Sequence, residues 1–225
     1  MSKLFVDSAN FTDIRRLMQQ GICDGVTTNP AIVAKAGRVW PGGAVEIAAL
    51  IHPLPLSLEV TTDEVGEMIV EARSLNALAP NVVVKIPVTN SRGESCLGVI
   101  LSLSAEGIAV NATACMTFMQ LTLAAKAGAR YVSLFCGRVD DEGGDACDTI
   151  RAFVATNWDS DAELIAASVR TTANVSAWMR AGADIVTVSP AIVDKLLVHG
   201  RTMTTVAEFV AAGRTLGVLR AEEVR

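Results

Sequence analysis

The chain has 225 residues, a formal net charge of −5, and a composition 51% hydrophobic but only 4% aromatic. That length suits one large α/β domain or two small ones, and a core so poor in rings must be built from Ala, Val, Ile and Leu, the usual material of parallel strands covered by helices. A negative chain with no long basic run argues against a nucleic-acid partner, and no apolar stretch approaches the ~20 residues of a membrane span.

In chain order, Lys3 to Val6 is a short apolar run ending at Asp7. The Met1–Asp7 segment meets an acid too early to supply the apolar region of a signal peptide, so a soluble, cytoplasmic protein is expected. Asn10 offers the N-cap of a helix whose apolar face is Ile14, Leu17 and Met18, stopped at Gly21. Gly25 to Pro30 reads as a second strand closed by the proline. The apolar segment Ala44 to Ile51 leads through a turn at His52-Pro53-Leu54-Pro55 to a third strand, Leu56 to Val60. Thr62 and Asp63 can cap a helix carrying Val65, Met68, Ile69, Ala72 and Leu75.

The fourth strand, Val82-Val83-Val84-Lys85-Ile86-Pro87-Val88, holds a lysine inside an apolar, β-branched run. Such a lysine must reach water, pair with a carboxylate, or serve as a nucleophilic amine, because an apolar surround disfavours the ammonium form. Arg92 to Ala105 reads as helix, stopped at Gly107 before the strand Ile108 to Thr113. Met116 to Ala127 is apolar helix, stopped at Gly128 before Tyr131 to Phe135. Asp148 to Ala155 gives a helix, Glu163 to Ser168 a strand, Asn174 to Arg180 a helix, and Ile185 to Pro190 the last strand. The tail is helical over Ala191 to Leu197 and Val206 to Ala212.

A helix end, a glycine and then a strand recur at Gly21, Gly107, Gly128 and Gly182. Eight strand candidates alternating with helices in one chain predict a single-domain (β/α)8 barrel over residues 1–225, with an open doubly wound sheet as the competing architecture. No G-x-G-x-x-G follows the first strand and no G-x-x-x-x-G-K-[ST] occurs, so dinucleotide and P-loop sites lose their main support. Cys23, Cys96, Cys115, Cys136 and Cys147 have no metal-ligand spacing and read as reduced thiols. His52 and His199 lack a plausible second ligand, and no metal is expected.

Barrel enzymes keep their chemistry at the carboxyl ends of the strands. Those ends carry Asp7; Thr27 and Asn29; Glu59; Lys85; Asn111 and Thr113; Ser133 and Phe135; Ser168 and Arg170. Any one polar strand end can be a capping group or simply meet solvent, and Asp7, Thr27 and Ser168 each fit that reading. As a set, an acid, carboxamides, hydroxyls, a lysine and an arginine suit a polyhydroxylated, phosphorylated substrate better.

The residue types then define a reaction. An amine on Lys85 adds to a ketone and loses water to give an iminium, the electron sink for breaking the neighbouring carbon–carbon bond. Glu59 is placed to move protons at the carbinolamine, through a water held with Thr113, and Asp7 to take the proton of the departing hydroxyl. Asn29 and Asn111 would bind the remaining hydroxyls. Arg138 and Arg170 would clamp a terminal phosphate, with a local ion pair to Asp140 or Asp141 as the other reading of Arg138.

Five segments, Leu4 to Asn10, Asp24 to Pro30, Val83 to Pro87, Tyr131 to Asp141 and Ile165 to Arg170, make the sequence resemble the transaldolase family, in its short branch that includes fructose-6-phosphate aldolase. The resemblance implies a (β/α)8 barrel, Lys85 as the Schiff-base lysine, and transfer of a dihydroxyacetone unit between sugar phosphates without metal or organic cofactor. Aldolase members carry glutamine on the third strand and tyrosine on the sixth. This chain has Glu59 and Phe135 there, and Asn111 where transaldolases also place asparagine, so the resemblance implies a transferase, with an aldolase releasing free dihydroxyacetone or a specialised biosynthetic transaldolase as alternatives. It also implies a homo-oligomer, a pentamer or decamer. Two departures from the family are the run Asn111-Ala-Thr-Ala-Cys-Met116 and a tail, Gly213 to Arg225, without a tryptophan-ending helix.

Overall fold

The computed structural model describes residues 2–37, 41–156 and 160–215. Its strands are β1 (Lys3–Asp7), β2 (Gly25–Thr27), β3 (Leu56–Glu59), β4 (Val82–Pro87), β5 (Val110–Cys115), β6 (Tyr131–Leu134), β7 (Glu163–Ala166) and β8 (Ile185–Val188). All pair in parallel, each with its neighbours in sequence, and β8 returns to β1 to close the barrel. The closure excludes the open doubly wound sheet.

Strand alternation sorts the side chains into two sets. The even-numbered residues Val6, Val26, Leu58, Val84, Ala112, Leu134, Leu164 and Val186 join the large core between barrel and helices. The odd-numbered residues point inward. Phe5, Val83, Tyr131, Ile165 and Ile185 form an apolar floor inside the barrel. Gly25 makes room for this floor, since a Cβ there would lie 2.7 Å from the Phe5 ring. One step further along seven of the eight strands, the inward residues become polar: Asp7, Thr27, Ser57, Lys85, Asn111, Ser133 and Thr187; after β7 the corresponding residue is Ala167.

The helices are α1 (Phe11–Gln19), α2 (Pro30–Ala36), α3 (Gly42–Ile51), α4 (Val65–Asn76), α5 (Leu97–Ala105), α6 (Phe118–Lys126), α7 (Cys136–Asp141), α8 (Ala146–Thr156), α9 (Thr172–Ala181), α10 (Pro190–Leu197) and α11 (Gly200–Thr215). Asn10 caps α1 as expected, accepting from the backbone N–H groups of Thr12 and Asp13. The expected glycine stops adopt positive φ, as at Gly182 with +108° after α9.

Three elements differ from the sequence reading. Pro30 opens α2 instead of merely ending a strand, because Asn29 caps the helix and a proline at its first position needs no hydrogen-bond partner for its nitrogen. The short helix α7 follows β6 directly. The helix expected from Arg92 begins only at Leu97, because Arg92 is drawn into ion pairs with Asp63, Glu64 and Glu94. At the end of β5 the register shifts between Ala112 and Cys115, with Ala114 at φ +58°.

All five cysteines are free, and burial pushes the Cys115 thiol up to about 12. Among the described residues no helix is long and apolar enough to cross a membrane, and no group of three or more His, Cys, Asp or Glu side chains could hold a metal ion. The α11 helix leaves Met203, Val206, Phe209 and Val210 exposed. The last part of the divergent tail, residues 216–225, lies outside the described residues.

Candidate active site

The centre of the polar layer is Lys85. Parallel pairing sets it beside Glu59 of β3 on one side and Asn111 of β5 on the other. Its Nζ lies 2.8 Å from Glu59 Oε2 and donates to the Thr28 carbonyl at 3.0 Å. Lys85 is only 5% exposed, so it does not reach water, and it is buried against a carboxylate. A buried amine held against a carboxylate has a proton acceptor at hand, as addition to a carbonyl requires.

A cavity of about 310 Å³ opens onto Lys85, a size that accepts a small polar ligand. Its floor and walls include Asp7, Thr27, Ser133 and Thr187, and its rim carries Asn29, Phe135, Arg138, Ser168 and Lys35. Asp7 accepts from Thr27 Oγ1 at 2.7 Å. Burial pushes the Asp7 carboxyl above its ordinary value of 3.8, against the opposing effects of the Thr27 hydrogen bond and the Lys85 charge. Asn111 accepts from Ser133 Oγ at 2.7 Å and donates to Ser57 Oγ at 3.3 Å, which fixes the orientation of its amide.

Not every expected residue faces that cavity. Glu59 opens instead onto an adjoining space of about 230 Å³ with Thr28, Asn29 and Thr61, and touches the main cavity through Lys85. Thr113 is fully buried, and among the described residues its hydroxyl has no hydrogen-bond partner. An orphaned buried hydroxyl on the strand next to Lys85 is a natural place for a bound water. Asn29 has a second task, since its Oδ1 caps α2 through the Ile32 N–H at 2.9 Å.

The two arginines behave differently. Arg138 stays clear of Asp140 and Asp141 and lies over the Phe135 ring, 5.1 Å from its centre. Arg170 makes the surface ion pair instead, with Asp141 at 2.7 Å, and does not line the cavity. The two segments nevertheless meet: a Cβ on Gly137 would fall 2.1 Å from the Ser168 carbonyl and 3.0 Å from Arg170 Nε. Ser168 itself sits at φ +65°, a backbone conformation that a serine adopts only when its surroundings impose it.

The sequence reading missed Ser57, Thr187 and Lys35. Ser57 was accessible by alternation, two residues before Glu59 on the same strand. Thr187 was hidden in Ile185-Val186-Thr187-Val188, where a threonine reads as one more β-branched strand residue. Lys35 comes from α2, the helix that was not expected, and lines the cavity.

Fold and site define the class: a closed parallel (β/α)8 barrel with a buried lysine–carboxylate pair at the carboxyl ends of its strands. A family model described as transaldolase/fructose-6-phosphate aldolase matches residues 4–223, and the chain belongs to that family. A probable transaldolase of Phenylobacterium zucineum (strain HLK1) is 40% identical over 213 residues, 93% of this chain and 95% of the relative. Probable transaldolase 2 of Listeria monocytogenes (serovar 1/2a, strain EGD-e) is 42% identical over 202 residues, 89% and 90% of the two chains. A solved structure described as native KDPGal superposes with a TM-score of 0.57 at 18% identity, over 96% of this chain and 95% of that one, a likeness of fold alone.

Proposed function

We propose that the chain is a transaldolase that moves a dihydroxyacetone unit from a ketose phosphate to an aldose phosphate through an imine on Lys85. The observation that carries the proposal is the buried Lys85–Glu59 contact of 2.8 Å beside a cavity with a cationic rim. Lys85 attacks the ketone carbonyl. Glu59 takes up and returns protons as the carbinolamine forms and loses water, with the Thr113 hydroxyl positioning that water. The iminium then withdraws electrons from the bond to be broken while Asp7 accepts the proton of the neighbouring hydroxyl, releasing an aldehyde.

Asn111, held between Ser57 and Ser133, and Asn29 bind hydroxyls of the three-carbon unit. Arg138 and Ser168 receive the terminal phosphate. Arg170 joins them by leaving Asp141, an exchange with a small energetic cost because both partners are more than half exposed. Phe135 puts a ring without a hydroxyl beside the cavity, so no phenol there assists attack of water on the bound unit. The imine therefore waits for an aldose.

Incubation with fructose 6-phosphate and borohydride is expected to leave a reduced three-carbon adduct on Lys85, read by peptide mass. Consumption of the ketose should depend on added erythrose 4-phosphate. Free dihydroxyacetone produced at a comparable rate without the acceptor would assign the chain to the aldolase side of the family instead.

The same reading includes assembly of several copies, supported by the exposed apolar side chains of α11, and a reducing, cytoplasmic setting, supported by five free cysteines.

A further inference from the structure

We infer that Thr187 is a positioning residue for this reaction, acting through Thr27 to hold Asp7 in its ionised, proton-accepting state. The inference rests on the role proposed above for Asp7. Thr187 Oγ1 lies 2.5 Å from Thr27 Oγ1, and Thr27 Oγ1 lies 2.7 Å from Asp7 Oδ1. The three groups come from β8, β2 and β1, with β1 between the other two in the barrel. Thr187 and Thr27 are 4% and 3% exposed, and all three residues line the cavity above Lys85.

The direction of the chain follows from counting protons. An ionised Asp7 can only accept, so Thr27 must give it its single hydroxyl proton. The Thr27 oxygen is then free to accept, and Thr187 supplies that proton. A hydroxyl that is itself accepting a hydrogen bond donates more strongly, so Thr187 supports the charge on Asp7 without touching it. Once Asp7 has taken a proton from substrate, the order can reverse: Asp7 donates to Thr27 and Thr27 to Thr187. The reversal needs two hydroxyl rotations and no movement of a heavy atom. A valine would pack in the same strand position but could not take part.

Other charged groups also bear on Asp7. Lys85 of β4 favours its ionised form and Glu59 of β3 opposes it. Lys35 of α2 shares its cavity, and Asp13 of α1 shares with it a second space of about 430 Å³. All of these remain in a Thr187 variant, so a change in pH dependence there reports the hydroxyl chain. Burial already holds the Asp7 carboxyl above 3.8, and the enzyme needs it ionised, so activity falls on the acid side as pH drops through the raised value. Weakening the support of the ionised form raises that value further and moves the acid limb to higher pH.

The test is the pH profile of kcat/KM for fructose 6-phosphate, with erythrose 4-phosphate as acceptor, in the parent enzyme, Thr187→Val and Thr187→Ser. In Thr187→Val the acid limb is expected to move up by about half a pH unit or more, a loss of roughly threefold on the acid side, while Thr187→Ser follows the parent. A Thr187→Val profile superimposed on the parent would overturn the inference. So would a Thr187→Ser profile that matches Thr187→Val, since the threonine would then act by its methyl group. Borohydride trapping on Lys85 runs alongside. No adduct in the parent defeats the imine reading itself, whereas adducts in the parent and Thr187→Val with unmoved profiles defeat only the role of Thr187.

Discussion

Lys85→Met is expected to leave under about one thousandth of the transfer activity while the barrel still folds. Methionine matches the length and most of the volume of lysine, so the packing around β4 survives, but it has no nucleophile to form the imine. The residual activity cannot be rescued by raising substrate, because the loss falls on a covalent step and not on binding. A moderate loss of stability accompanies it. The Glu59 carboxylate loses its counter-charge, and its side chain is 21% exposed against 6% for Lys85. That partial access to water puts the cost at about 1–3 kcal/mol, below the value for a fully enclosed pair that loses one partner. Measured turnover within tenfold of the parent, in a variant shown by peptide mass to lack any adduct, would remove Lys85 from the centre of the mechanism.

Gly137→Ala is the second large effect, and it separates phosphate binding from imine chemistry. The new Cβ would lie 2.1 Å from the Ser168 carbonyl oxygen, a backbone atom that cannot rotate away. Either α7 or the segment after β7 must move, and these two segments carry Arg138 on one side and Ser168 and Arg170 on the other. Overpacking of this kind costs about 1–3 kcal/mol, which lowers Tm by roughly 2–10 °C in a chain of this size. The functional expectation is a KM for fructose 6-phosphate raised by about tenfold or more, with trapping of unphosphorylated dihydroxyacetone on Lys85 little changed. An unaltered KM in the folded variant would show that the contact between α7 and Ser168 does not shape the phosphate site.

The two expectations draw on different levels of information. Lys85 stood out in the sequence because one charge interrupts Val82-Val83-Val84 and Ile86, and an apolar strand leaves a lysine few fates. Gly137 carried no such mark. In Cys136-Gly137-Arg138 it reads as a loop glycine, and the carbonyl that forbids a side chain there belongs to a residue 31 positions later. The arginines divide in the same way. A local ion pair for Arg138 with Asp140 or Asp141 is a fair reading of four adjacent residues, yet Asp141 is claimed by Arg170 from another loop. Local spacing identifies a charge but not its partner when several elements converge on one rim.

The barrel itself was legible because its two periods are local. Apolar runs of strand length, helices ended by glycine, and their eightfold alternation need no knowledge of contacts. The helix α2 is hidden for a local reason as well: Pro30 reads as the end of a strand, although Asn29-Pro30 is also a cap followed by a proline at the first helical position. With α2 went Lys35.

By itself, the sequence determined the architecture, the strand-end set and the lysine at its centre, because hydrophobic periodicity and residue chemistry are properties of neighbours along the chain. Only the tertiary structure decided which polar groups meet: Lys85 with Glu59 and the Thr28 carbonyl, Asn111 between Ser57 and Ser133, and Thr187 with Thr27 and Asp7. Those meetings depend on barrel closure, which brings β8 beside β1 across almost the whole length of the chain. A threonine in an apolar strand becomes part of the site only when the first and last strands are joined.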